Sequence, residues 1–231
     1  MKRCARTALS MFRELGSPLL DLFFPMPELV GERQLLEMPF CERCGHPYSG
    51  SIDGPFRCTN CAGRACHYDA ARAQYLNRGA IRSAVHRFKY AREYWLRKML
   101  GTWIIEGFHR HYAGMVFDLV MPVPLHPSRL RWRGFNQAEE LARALAHRLG
   151  YPFGSGLRRL RDTGTQAEMG RRQRWANVRG AFGLAESTPC RDTRILLVDD
   201  VFTTGSTVNE CARTLKRAGA SSVHVIAVAR G

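Results

Sequence analysis

Apolar positions along the chain recur with two periods. Between residues 5 and 24, Leu9, Phe12, Leu15, Leu19, Leu20 and Phe23 repeat at helical spacing, and Pro25 and Pro27 follow. This predicts an amphipathic N-terminal helix within residues 1–27. Residues 69–76 read as a strand ending in Tyr75 and Leu76. Helical spacing returns in Ile81, Ala84, Val85 and Phe88, and again in Leu96, Met99, Leu100, Trp103, Ile104 and Phe108. From residue 116 the pattern changes. Residues 116–121 are an apolar run broken by Asp118, leading into Pro122-Val-Pro124. Ala138, Leu141, Ala142, Leu145 and Leu149 predict a helix over 136–149, stopped by Gly150. Residues 195–198 and 223–229 are unbroken apolar runs, as expected of strands buried on both faces. Residues 206–218 read as a helix ended by Gly219, with Thr207-x-x-Glu210 as a candidate capping box. Strands alternating with helices predict an α/β fold, a parallel sheet with helices on both faces.

Residues 28–68 fit neither period. Cys41-Glu-Arg-Cys44 is followed, after 13 intervening residues, by Cys58-Thr-Asn-Cys61. Two short cysteine pairs at this separation suit a tetrahedral Zn²⁺ site, because each pair forms a turn and the two turns close four thiolates around one ion. The stretch between them, with Pro47, Gly50, Gly54 and Pro55, is rich in turn residues and poor in core residues, so a metal is expected to hold it together. Four thiolates leave no open coordination position, which makes the ion structural. Cys66 and His67 lie close enough to substitute for one ligand. Cys4, Cys190 and Cys211 are scattered and read as buried, inert thiols.

The chain has 231 residues, long enough for one large α/β domain over 69–231 beside the small zinc-ribbon-like module. Forty-five per cent hydrophobic residues exclude a disordered chain. No apolar run is long enough to span a membrane, and Glu14 and Asp21 interrupt the N-terminal stretch, so a cytoplasmic protein is expected. The net charge of +15 rests on 31 arginines and only 4 lysines, and it is uneven. Residues 78–98 hold seven cations against one acid, and residues 129–179 hold twelve against four. Such a surface suits an anionic partner, either a phosphorylated small molecule or a nucleic acid.

The sharpest motif is residues 195–207, ILLVDDVFTTGST. A buried strand ends in two adjacent carboxylates, Asp199 and Asp200, and Thr203-Thr204-Gly205-Ser206-Thr207 turns directly into a helix. Ligands bind at the carboxyl edge of parallel sheets. Amides at a helix start and the nearby hydroxyls suit a phosphate, and Gly205 permits close backbone approach. Two acids suit vicinal ribose hydroxyls or Mg²⁺. The pattern therefore predicts a phosphosugar site.

This motif resembles the phosphoribosyl-pyrophosphate (PRPP) motif of type I phosphoribosyltransferases. More narrowly, the chain resembles the ComF family of bacterial competence-associated, phosphoribosyltransferase-like proteins. The resemblance also rests on Pro122-Val-Pro-Leu-His126, Arg133-Gly-Phe-Asn-Gln137, Thr165-Gln166 with Arg174, Asn177 and Phe182, Phe88-Lys89-Tyr90, and the paired cysteines. One departure is the lack of cysteines in residues 26–40, where family members often have them.

The resemblance implies a type I phosphoribosyltransferase-like, Rossmann-like fold. It places Asp199 and Asp200 against the ribose hydroxyls of PRPP with Mg²⁺ nearby, and Thr203, Thr204, Gly205, Ser206 and Thr207 around the 5-phosphate. Arg129, Arg131 and Arg133 fall on the pyrophosphate side, with Arg133 a candidate catalytic residue beside Asp199 and Asp200, and Lys89 of the basic segment Phe88-Lys89-Tyr90 is a candidate PRPP ligand. Thr165, Gln166, Arg174 and Asn177 belong to a hood that closes over the site, where Gln166 and Asn177 can serve simply to hold the loop together. The alternating arginines suit either ligand contact or one solvated face, and His126 reads as a loop histidine. Trp132, Phe135 and Trp175, interleaved with arginines, suit base stacking on single-stranded DNA. Two functions follow: a PRPP-dependent transferase, or a non-catalytic single-stranded-DNA-binding protein working with competence or DNA-processing proteins.

Overall fold

A computed structural model of the chain describes residues 32–48, 50, 52, 54–164 and 171–231. The predicted helix over 5–24, Cys4, Thr165 and Gln166 lie outside the described residues.

Four parallel strands form one sheet in the order β1 (Ala70–Leu76), β6 (Ser222–Arg230), β5 (Arg194–Phe202), β2 (Leu119–Pro122). The register pairs Ile195 with Val223 and Leu119, and Val198 with Ile226 and Pro122. Ile195, Leu196, Leu197 and Val198 are fully buried, as a strand covered on both faces requires. Alternate residues feed opposite layers. Ile195, Leu197, Val223 and Val225 cluster with Val208, Cys211 and Leu215 of α7 (Ser206–Arg217). On the other face, Ile226 lies against Gly107 of α3 (Leu96–Tyr112), and α5 (Gln137–Leu149) packs on β5 and β2. The α5 helix starts where Asn136 accepts the Ala138 amide at 3.2 Å and stops at left-handed Gly150.

The cysteine-bearing segment, with its short helix α1 (Thr59–Ala62), lies along the free edge of β1. The Leu36 and Leu76 amides donate to the Gln74 and Gln34 carbonyls at 3.0 and 2.9 Å, and the Ala71 amide donates to the Arg43 carbonyl at 2.8 Å. These contacts satisfy backbone groups that an open edge would leave exposed. Helix α2 (Gly79–Tyr90) follows β1. Three pieces are absent from the periodicity reading: helix α4 (Pro127–Arg133), the antiparallel pair β3 (Leu157–Arg159) and β4 (Phe182–Leu184), and helix α6 (Arg171–Val178). Each is too short for an apolar period to register.

The capping box expected at Thr207-x-x-Glu210 does not form. Helix α7 begins at Ser206 after left-handed Gly205, with no side-chain cap, and Glu210 instead accepts the Gly180 amide at 2.5 Å and pairs with Arg213. Among the described residues, no helix is long and apolar enough to cross a membrane.

Candidate functional site

At the carboxyl edge of the sheet, β5 carries its acids just past the buried Ile195–Val198 stretch. Asp200 is buried and receives the Lys89 ammonium at 2.7 Å, delivered from the last turn of α2. Its amide donates to Asp199 Oδ1 at 2.9 Å. Burial, reinforced by the neighbouring Asp200 charge, pushes the Asp199 carboxyl up to about 7. Lys89 and Arg159 act against that rise. A carboxylate held this reluctantly gains from any added cation or hydrogen-bond donor.

Beyond Phe202 the chain turns through Thr203-Thr204-Gly205 into α7. Gly205 takes φ 77°, and a Cβ there would lie 2.7 Å from Phe202 Cζ, so this position requires glycine on two counts. Thr204 Oγ1 and Ser206 Oγ lie 3.0 Å apart. Asp199, Val201 and residues 202–208 line a small hollow of about 30 Å³ at the helix start, a place where free amides favour an anion.

This hollow adjoins a cavity of about 510 Å³. Into it come Asp199, Asp200, Thr203 and Thr207 from the motif, Lys89 from α2, Arg129 and Arg133 from α4, and Arg174 from α6. Arg131 does not line it and is exposed on α4. The physical reason is the helix: residues two apart lie on opposite faces, whereas Arg129 and Arg133, four apart, share one. Asn177 lies outside the lining and ties α6 to the segment after β3, donating to the Thr163 carbonyl at 2.6 Å. His126 caps α4, its Nδ1 accepting the Ser128 amide at 3.3 Å. Phe135 packs against Phe88 and Tyr94, with centroids 5.0 Å apart in both pairs, whereas Trp132 is exposed.

Sequence reasoning left Arg159 and Gln137 unassigned, yet both line the cavity and both are buried. Arg159 points inward from β3, the guanidinium resting 5.5 Å over the Phe182 ring, with a contact to Thr163. Burial lowers its pKa, with the Arg129 charge adding to the effect. The Arg133 guanidinium donates to Gln137 Oε1 at 3.0 Å. Arg133 Nε, Gln137 Nε2 and Arg159 Nε are buried and lack a hydrogen-bond partner among the described residues. These three nitrogens lie behind the cavity surface; what favours an anionic occupant is the cationic lining itself, Lys89, Arg129, Arg133, Arg159 and Arg174. The inward set of alternate residues in β3 was the available signal for Arg159, but a three-residue strand declares its face only when paired.

The cavity rim is laced to the segment after β3. Asp162 Oδ2 accepts the Ser128 hydroxyl at 2.5 Å, its carboxylate lies 3.7 Å from Arg129 Nε, and Arg129 also donates to the Gly164 carbonyl. The hydrogen bond from Ser128 draws the Asp162 pKa below the usual carboxylate range.

The second cluster is the thiol set. The sulfurs of Cys41, Cys44, Cys58 and Cys61 all lie within 4.8 Å of one another, all four residues are buried, and Cys44 Sγ and Cys58 Sγ are 3.6 Å apart. Tetrahedral Zn–S bonds of about 2.3 Å place sulfurs about 3.8 Å apart, so the set fits such an ion. Cys66 and His67 are not part of the four-sulfur group. The His67 amide instead donates to Asn209 Oδ1 at 2.7 Å.

Residues 135–231 match the phosphoribosyl transferase domain family. The chain is 30% identical over 208 residues to competence protein F of Haemophilus influenzae, covering 86% of this chain and 88% of that protein. It is 35% identical over 150 residues to DNA utilization protein YhgH of Escherichia coli K12, covering 63% of this chain and 65% of the relative. It is 28% identical over 159 residues to competence protein ComFC of Streptococcus pneumoniae, covering 69% and 67%. With a phosphoribosyltransferase-type parallel sheet, a metal-ready cysteine cluster on its N-terminal side and a relative matched over nearly its whole length, the chain belongs to the ComF family.

Proposed function

We propose that the chain binds PRPP, or a closely related phosphosugar, at the carboxyl edge of the sheet and transfers the phosphoribosyl group to an acceptor. The observation that carries this reading is the cavity itself. It gathers two acids, a helix start of the kind that favours phosphate, and six lysine and arginine side chains from four separate elements. In this reading Asp199 and Asp200 hold the ribose hydroxyls, and Thr203–Thr207 cradle the 5-phosphate. Lys89, Arg129, Arg133, Arg159 and Arg174 face the pyrophosphate.

Transfer forms a bond from the acceptor to C1 of the ribose. The C1–O bond breaks, and its electron pair leaves with pyrophosphate. Guanidiniums already in place stabilise that departing charge without reorganising. The paired acids fit Mg²⁺, which would supply further charge neutralisation when bound. Hood residues tied to α4 through Asp162 limit the water that would otherwise hydrolyse the donor. The thiol set is read as a structural Zn²⁺ site. The names of the relatives support a role in competence and DNA use.

Calorimetric titration with PRPP, with and without Mg²⁺, tests the reading. Saturable binding that disappears in the Asp199→Asn/Asp200→Asn double variant is expected, and an unchanged affinity in that variant overturns it. The second reading, single-stranded DNA binding without catalysis, is favoured by the exposed Tyr90 and Trp132 beside the cavity. Pyrophosphate release in the presence of an acceptor separates the two.

A further inference from the structure

Large aromatic side chains on a basic surface need a reason to be exposed. Tyr90 is 44% exposed and Trp132 58%. With His86 they form a row: the His86 and Tyr90 rings are 4.7 Å apart, and the Tyr90 and Trp132 rings 6.2 Å. The row is braced. The Arg133 guanidinium sits 5.1 Å over Tyr90, and Arg92, itself at φ 56°, donates to the Trp132 carbonyl at 3.0 Å.

The surrounding charge is one-sided. The nearby acids are engaged: Glu93 by Arg87 at 2.5 Å, Asp200 by Lys89 at 2.7 Å and Glu140 by the Tyr94 hydroxyl at 2.7 Å. Among the described residues Arg82, Arg92, Arg131 and Arg133 meet no carboxylate. One end of the row opens into the cavity, since Arg82, His86, Tyr90 and Arg133 line it, while Trp132 and Arg131 lie outside.

We infer that this row is a stacking track for the unpaired bases of a single-stranded nucleic acid, running to the mouth of the phosphosugar cavity. Aromatic faces accept any exposed base, and guanidiniums with no carboxylate partner match the phosphate that accompanies each base. A duplex keeps its base faces covered and gives the rings nothing to stack on. A strand on the track and a phosphosugar in the cavity both need Tyr90 and Arg133, so each weakens the other's binding by the same factor. Only this last coupling rests on the phosphosugar reading; the track does not.

The test is fluorescence anisotropy of the full, zinc-loaded chain with a labelled oligothymidylate, with PRPP affinity measured in parallel. Trp132→Ala is expected to weaken strand binding about fivefold or more. Trp132→Phe restores most of it, and PRPP affinity is unaffected in both. Arg131→Glu is expected to weaken the strand and to flatten its log–log salt dependence by about 0.7, the value of one phosphate contact on a single strand.

A second basic groove of about 590 Å³, lined by Arg64, Trp175, Arg179, Arg213 and Arg217, supplies the competing location. Strand binding lost in Arg179→Glu/Arg217→Glu but kept in Trp132→Ala overturns the track. Preference for blunt duplex, or capture of a protein on this face with no affinity for the strand, does the same. If PRPP fails to bind while Trp132 and Arg131 still control the strand, the phosphosugar reading falls and the track stands. If PRPP binds without displacing the strand, the shared mouth is wrong.

Discussion

Gly205 separates two reasons for a glycine, and the structure assigns a size to each. Its φ of 77° costs an L-residue about 1–2 kcal/mol. A methyl group there would also lie 2.7 Å from Phe202 Cζ and 3.3 Å from Cε1. The Phe202 ring has nowhere to go. It is buried, Tyr68 meets it edge-on at 5.9 Å, and the Arg230 guanidinium lies 4.8 Å over it. Overpacking of this kind costs about 1–3 kcal/mol, so Gly205→Ala is expected to destabilise by about 2–5 kcal/mol.

The control is Gly150→Ala. That residue has φ 73° but nothing within 4 Å of a new Cβ, so only the backbone cost applies, about 1–2 kcal/mol. Urea denaturation of both variants and the wild type, all metal-loaded, gives the difference. Phe202→Leu in the Gly205→Ala background makes room for the methyl, and the double-mutant cycle should return about 1 kcal/mol or more of coupling. Gly205→Ala should also weaken PRPP binding, since the displaced ring moves the backbone of residues 203–207. Equal destabilisation at Gly150 and Gly205, or additivity in the cycle to within about 0.5 kcal/mol, refutes the packing argument.

Asp199 has a raised pKa in the folded protein, so between about pH 4 and 7 the native state holds a proton that the unfolded chain has released. Wild-type stability relative to Asp199→Asn therefore falls as pH rises through that window, by at most about 1.4 kcal/mol per unit, and levels off above it; denaturant midpoints showing the opposite trend would contradict the assignment. Metal analysis should find one Zn²⁺ per chain, absent from Cys41→Ser/Cys44→Ser, and a folded wild type without metal is the refuting result. Arg230, buried and donating to the Phe202 and Thr203 carbonyls, should cost about 2–4 kcal/mol when changed to Met, with weaker PRPP binding, and an unchanged melting temperature would count against it.

What the sequence made legible was local. The run over 195–207 is contiguous, so strand, acids, turn and helix start could be read from adjacent residues, and β5 and α7 lie where that run places them. The cysteine pairs were legible for the same reason, because each pair closes its own turn. What the sequence left open or misplaced falls where a neighbour in space decides. Arg129, Arg131 and Arg133 alternate in the sequence, but Pro127–Arg133 is helical, and a seven-residue helix has no buried residue to reveal its face. Arg159 becomes a cavity residue only through the pairing of β3 with β4, and the pairs Leu157↔Leu184 and Arg159↔Phe182 are more than 20 residues apart in the chain. Glu210 met the spacing of a capping box, yet Arg213 and the Gly180 amide offered stronger partners than its own helix start.

The same reasoning links the two clusters that the sequence presented as separate. Arg230 Nη2 approaches His46 Nδ1 at 3.5 Å, while Nη1 holds the carbonyls of Phe202 and Thr203. His46 belongs to the turn that ends the first cysteine pair. Its carbonyl accepts the Cys41 amide at 2.8 Å, and Gly45 is pressed so close to β1 that a Cβ would lie 2.8 Å from the Ala71 carbonyl. An ion that fixes Cys41 and Cys44 would therefore fix His46, and through Arg230 it would constrain the Phe202 and Thr203 carbonyls of the loop that lines the small hollow at the start of α7. On the far side of that loop, Asn209 of α7 binds the His67 amide and reaches the Ala65 carbonyl at 3.4 Å. The cysteine module thus grips the loop over 203–207 from both ends, so the four-thiol cluster is built into this sheet edge rather than tethered beside it.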